Sequence, residues 1–124
     1  MIMFNRAGFS AGRRWTKSDG KLKQVSVRAG GNHVWGVSSE EQVYYRAGVK
    51  GSWQCIGGSL KQVCVSASGK HVWGVTVHDD VYYRAGVSAG RWTKKSADGR
   101  KLKHVSVSAG GNHVWGVNAT DEIY

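Results

Sequence analysis

Three histidines recur in one sequence context. His33 and His113 each follow a Gly-Gly-Asn triplet ending at Asn32 and Asn112, and His71 follows Ser68-Gly69-Lys70. Each leads into Val-Trp-Gly-Val, and an Arg-Ala-Gly triplet recurs at Arg6, Arg46 and Arg84. Asn, His and Arg are planar donors and acceptors suited to an array of hydroxyl groups, and an aromatic ring beside them can cover the apolar face of a sugar. The candidate ligand-binding residues are therefore Asn32, His33, His71, Asn112, His113, Arg6, Arg46 and Arg84, with an exposed Tyr45 or Tyr83 as stacking platform. Lys70 stands where the other copies have Asn, so the middle site should differ. The same Asn and Gly also suit a plain turn, in which they supply left-handed backbone.

Other chemistries fit less well. Histidines placed once per repeat point apart, whereas a metal draws its ligands to about 2 Å; no metal and no cofactor is expected. Glu40-Glu41, Asp79-Asp80 and Asp121-Glu122 raise calcium or glycosidase chemistry, but they sit at hairpin turns among basic residues and read as solvated turn residues. No nucleophile and base pair, phosphate loop or His-Glu motif is present, so the chain is expected not to be an enzyme. Cys55 and Cys64 are too few for a disulfide framework and read as free or singly paired thiols. The first residues lack the pattern of a secretory signal, and no run approaches membrane-spanning length. A soluble chain is expected, cytoplasmic or secreted, with Asn118-Ala119-Thr120 a chance sequon.

The elements that must position these residues follow from the repeat. Val-Trp-Gly-Val stands at Val34, Val72 and Val114, a second tryptophan set at Trp15, Trp53 and Trp92, and a leucine set at Leu22, Leu60 and Leu102. With 18 Gly, 6 Trp, 5 Tyr and no Pro, such a chain favours brief strands joined by glycine turns. Each unit of about 40 residues offers four strands, the period of a propeller blade; a β-trefoil is the structural rival. One domain, residues 1–124, is expected, all-β, with blades at 22–57, 60–95 and 102–124, the last completed by residues 4–17. Three blades are too few for a ring, so a homodimer is expected to join the half-blades of two chains into a six-bladed propeller. In a meander the His and Arg turns share one end of the sheets and the paired acids the other. Trp35, Trp73 and Trp115 are expected in the core, and Trp15, Trp53 and Trp92 on the outermost strand with partial exposure.

Leu-Lys-Gln-Val-Ser-Val, Asn-His-Val-Trp-Gly-Val and Val-Tyr-Tyr-Arg-Ala-Gly, followed by a Trp, resemble tectonin repeats over nearly the whole chain. The resemblance implies a propeller that binds saccharides on microbial or cell surfaces, as the fish-egg lectins do. Chromatin-associated propellers share a Trp-Gly element but have longer units.

Lys and Arg outnumber Asp and Glu by 18 to 8, a net charge of +10 that attracts anionic partners. The expected function is multivalent recognition of glycans, including lipopolysaccharide, at up to three sites per chain through avidity. The alternative is a basic scaffold that binds proteins or phosphate-bearing ligands through Lys17, Lys21, Lys23, Lys94, Lys95, Arg100, Lys101 and Lys103. Aromatic residues are not interleaved with these charges, which argues against nucleic acid, and no membrane insertion is expected.

Overall fold

The computed structural model describes residues 2–5, 16–27, 33–48, 51–87, 91–95 and 100–124, with side chains described from residue 21 onward. Arg6, Asn32 and Trp15 lie outside the described residues.

Antiparallel strands make up the described regular structure. They are β1 (Ile2–Asn5), β2 (Thr16–Lys21), β3 (Gln24–Val27), β4 (Val34–Val37), β5 (Gln42–Arg46), β6 (Gln54–Ser59), β7 (Gln62–Val65), β8 (Val72–Val75), β9 (Val81–Arg84), β10 (Thr93–Lys94), β11 (His104–Val107) and β12 (Val114–Val117). The first sheet has the order β3-β4-β5-β6, the second β7-β8-β9-β10 and the third β11-β12, while β1 and β2 pair with each other. The chain is thus all-β and meandering. The repeats share one register: Trp35 faces Tyr45 across β4–β5 as Trp73 faces Tyr83 across β8–β9. In the third sheet Gly116 and Tyr124 exchange two backbone bonds of 2.9 Å, as the next strand would begin.

The paired acids owe their positions to the second turn of each repeat. Glu41, Asp79 and Asp121 hold left-handed backbone at φ 68, 65 and 68°, a region non-glycine residues enter at a cost that Asp tolerates better than most. Their N–H groups donate to Ser38, Thr76 and Asn118, closing the three turns alike. Asn118 goes further: its Oδ1 accepts from the backbone of Thr120 and Glu122, so the sequon asparagine ties its own turn.

The Trp-Gly pair has two jobs. A Cβ at Gly36, Gly74 or Gly116 would lie 2.5, 2.6 or 2.5 Å from a Cδ1 of Leu22, Leu60 or Leu102. Glycine therefore makes room for the leucine that opens the same repeat and, at Gly36 and Gly74, for the Gln24 and Gln62 carbonyls of the adjacent strand at 3.0 and 2.9 Å. The tryptophan faces the following sheet. Trp35, Val37, Val43 and Tyr45 of the first sheet pack on Leu60, Val63, Val65 and Val72 of the second, and Trp73 and Val81 of the second pack toward Leu102, Val105 and Val114. Each sheet thus has a trailing face, bearing the tryptophan, and a leading face that covers the tryptophan of the sheet before.

Polar bonds repeat across these layers. Gln24 accepts from Val63 N–H and donates to Val63 C=O, both at 2.9 Å; Gln62 does the same to Val105 at 3.0 and 2.9 Å. Val65 N–H donates to Ser26 Oγ at 3.2 Å, and Cys64 in the corresponding place bonds the backbone of Val107. Leu60 N–H donates to the Glu41 carbonyl and Leu102 N–H to that of Asp79. Inner strands cannot pair with the neighbouring sheet's ladder, so side chains carry the register from sheet to sheet.

Trp115 departs from the expected core position: it is 61% exposed, against 0% for Trp35. The described residues place no leading face over it.

Candidate histidine-tyrosine cleft

Histidine and tyrosine are brought together by strand register. Each histidine stands just before the strand that carries the tryptophan, and each tyrosine stands opposite that tryptophan on the next strand. The Tyr45 hydroxyl lies 2.5 Å from His33 Nδ1 and the Tyr83 hydroxyl 2.8 Å from His71 Nδ1, with ring centroids 5.5 and 5.9 Å apart. Each tyrosine also packs on its own tryptophan, Tyr45 at 5.2 Å from Trp35 and Tyr83 at 5.1 Å from Trp73. The constant offset between histidine and tyrosine is visible in the sequence, but their pairing is a property of the hairpin.

Both pairs line one open cleft of about 620 Å³ between the first and second sheets, with Ser68, Lys70 and the Gly86-Val87 turn completing its wall. Lys70 is exposed there, and its backbone N–H is held by Ser68 Oγ at 3.2 Å. The first turn of the repeat is left-handed at glycine, not asparagine: φ is +75° at Gly69 and +79° at Gly111. At Gly111 a Cβ would stand 2.3 Å from His71 Cδ2, so only glycine lets the third sheet's loop close on that imidazole. The Ala67 N–H to Ala109 carbonyl bond of 3.0 Å fixes the same contact.

Four expected site residues, His33, His71, Tyr45 and Tyr83, therefore converge on the cleft. Tyr45 corrects the expectation of an exposed stacking ring: it is 8% exposed, because Trp35 and His33 occupy its flanks, and the phenol edge faces the cleft instead. Tyr83 is half-buried and has Lys95 Nζ 5.7 Å from its ring centre. Arg46 and Arg84 pack within the fold, outside the lining of this cleft. Arg84 donates to the carbonyls of Gly86 and Val87 at 2.8 and 2.7 Å, lies 5.9 Å from the Trp92 ring, and burial lowers its pKa. Arg46 is buried, 5.6 Å from Trp53. Arg84 thus ties the third turn to the outer tryptophan of its own repeat. Asn112 and His113 are exposed on the third sheet's loop, apart from this cleft. Lys70 and the Gly86-Val87 turn are additions; the departure of Lys70 from the asparagine pattern was the signal for the first, and the recurrent Arg-Ala-Gly triplet, whose turn shares an end of the sheets with the histidines, was the signal for the second.

The outer tryptophan Trp92 is a packing residue. Its Nε1 donates to the Gly57 carbonyl at 3.2 Å, and its ring meets Trp35 edge-on at 6.4 Å.

At the other end of the sheets the acids are matched by lysines. Lys61 contacts Asp79 and Lys101 contacts Asp80, both at 2.5 Å, Lys94 approaches Asp80 at 3.7 Å, and Lys103 pairs with Asp121. The Lys101 ammonium holds the Asp80 carboxyl below the usual carboxylate range. Bonds from Asn118 and Thr120 do the same for Glu122. This is the chemistry of a braced turn rather than of a general acid, whose pKa would be raised.

A tectonin domain family model matches residues 3–124. A chain in the crystal structure of the mitotic checkpoint complex, of β-propeller type, is similar to this one with a TM-score of 0.57 at 13% identity. The match covers 82% of this chain and 34% of that one, so this chain spans about a third of the length of its structural neighbour. At that identity the likeness is one of fold. No curated protein matches the chain.

Proposed function

The chain belongs to the tectonin family, and from that premise we propose that it is a carbohydrate-binding protein rather than an enzyme. The His33–Tyr45 and His71–Tyr83 pairs, opening with Lys70 onto one cleft, carry this reading. A histidine already oriented by a phenol presents a fixed ring edge, so a sugar hydroxyl meets preorganised partners at little entropic cost. Lys70 adds an ammonium that suits an anionic substituent, as on the sugars of lipopolysaccharide. Single sites of this size are weak, and repetition around the fold provides avidity on a surface dense in one glycan.

The scaffold reading rests on the net charge of +10. Lys61, Lys94, Lys101 and Lys103 are matched by Asp79, Asp80 and Asp121, which reduces the free charge on that end and favours the cleft. A glycan array at low and moderately high salt, with competition by free sugar, tests the choice. Salt-resistant binding to a defined sugar, weakened about tenfold or more by His71→Ala and selectively for anionic glycans by Lys70→Ala, is expected for the loss of one or two hydrogen bonds. Binding confined to anionic probes and erased by salt would move the function to the scaffold class.

A further inference from the structure

Two faces of the stack are bare in a single chain and complementary to each other. On the leading face of the first sheet Val25 and Val27 are 40% and 56% exposed, whereas Val63 and Val65, their counterparts one repeat later, are 0% and 7%. On the trailing face of the third sheet Trp115 and Ile123 are 61% and 70% exposed, whereas Trp35 and Val43, their counterparts in the first sheet, are both 0%. Among the described residues, the other exposed large hydrophobics are Val77 and Tyr124, and Tyr124 is bonded to Gly116 on the same third sheet.

The two junctions within the chain show what covers such a face. At each, a leucine N–H meets a turn carbonyl, a glutamine meets both polar groups of a valine backbone, and a Ser or Cys side chain meets a second valine. By repeat position, the trailing face of the third sheet offers Asp121, His104 and Ser106, and the leading face of the first offers Leu22, Val25 and Val27. We propose that a second copy of this chain seats its first sheet on the third sheet head to tail, repeating the internal junction. Leu22 N–H of one copy donates to the Asp121 carbonyl of the other, Val27 N–H donates to Ser106 Oγ, and His104 takes the glutamine's place against Val25. Trp115 and Ile123 are buried under Val25 and Val27, and two such junctions close a ring of two copies.

The β1–β2 hairpin fits the same assembly. Asn5 pairs with Thr16 and Phe4 with Lys17, matching Tyr83 with Thr93 and Tyr82 with Lys94 in β9–β10. It therefore has the register of an outer strand pair, which the third sheet does not receive from its own repeat among the described residues. Because Ile123 and Tyr124 already pair with Val117 and Gly116, the Asn5 end of the hairpin meets β12 of the other copy opposite Trp115, beside the opening of about 220 Å³ near Trp73 and Trp115.

His104 is the one chemical departure at the junction. A glutamine amide carries donor and acceptor side by side, whereas an imidazole carries them at separated ring nitrogens and can serve only one group of Val25 at a time. Sedimentation equilibrium of the full chain is expected to give twice the chain mass of 13.5 kDa. Trp115→Glu and Val27→Asp, both at side chains exposed in a single chain, are each expected to give a folded particle of single mass, with the far-ultraviolet spectrum retained. An equimolar mixture of the two retains one intact junction and is expected to recover the two-chain mass. His104→Gln should tighten association about 25-fold by restoring one hydrogen bond at each of the two junctions. A wild-type chain of single mass at tens of micromolar overturns the proposal. So does a Val27→Asp chain that still dimerises, as a face-to-face pairing of Trp115 surfaces would allow, or a mixture that stays monomeric, which would show that one intact head-to-tail junction does not hold two copies together.

Discussion

Cys55 and Cys64 lie nine positions apart yet meet different surroundings. Cys55 is exposed on β6, while Cys64 sits between sheets, where burial pushes its thiol up to about 11 against the lesser pull of its bonds with Val107 and Trp73. A group whose charged form is disfavoured by burial stays a neutral thiol through the physiological range, and the thiolate is the nucleophile. A disulfide exchange reagent at pH 8 is therefore expected to titrate one thiol in the folded chain and two in denaturant. Rapid reaction of both in the folded chain would show that Cys64 is reached from solvent. The same contrast of type and surroundings separates the two arginines from the histidines. All were legible as polar residues at one end of the repeat. Of these, His33 and His71 face the cleft, where each imidazole ends at a tyrosine, while the Arg84 guanidinium reaches back to its own turn carbonyls.

Strands and turns were the most legible level. Apolar residues alternating over four positions, glycines between them and acids at the second turn correspond to β3–β5, β7–β9 and β11–β12. The glutamine that opens β3 and β7 carries no mark of its role in the sequence, yet Gln62 is buried and bridges to Val105. Alternation marks which face a side chain takes but not that a polar one there meets a backbone in another sheet. Gln62→Ala is expected to lower stability by about 1–3 kcal/mol for each Val105 group left buried without a partner. Gln24→Ala, at a less buried junction, should cost less. Urea unfolding midpoints at unchanged slope would measure both, and equal small losses would mean that water replaces the amide at either junction.

Across the whole molecule, cover decides stability. Among the described residues the second sheet is covered on both faces, the first lacks cover on its leading face and the third on its trailing face. Hydrogen exchange of the single-chain Val27→Asp form is expected to be slowest in β7 and β8 and faster in β11 and β12. In the assembled wild-type form β11 and β12 should gain protection. Uniform exchange in the single chain would mean that its sheets open together. The sequence by itself determined the repeat, the strands, the turns and the family, because each depends on residues close in the chain and recurs with its motif. Only the tertiary structure decided that Val-Trp-Gly-Val, written three times, buries Trp35, half-buries Trp73 and leaves Trp115 open. Burial belongs to the neighbour that covers a residue, and three identical motifs hold no record of how many neighbours each will have.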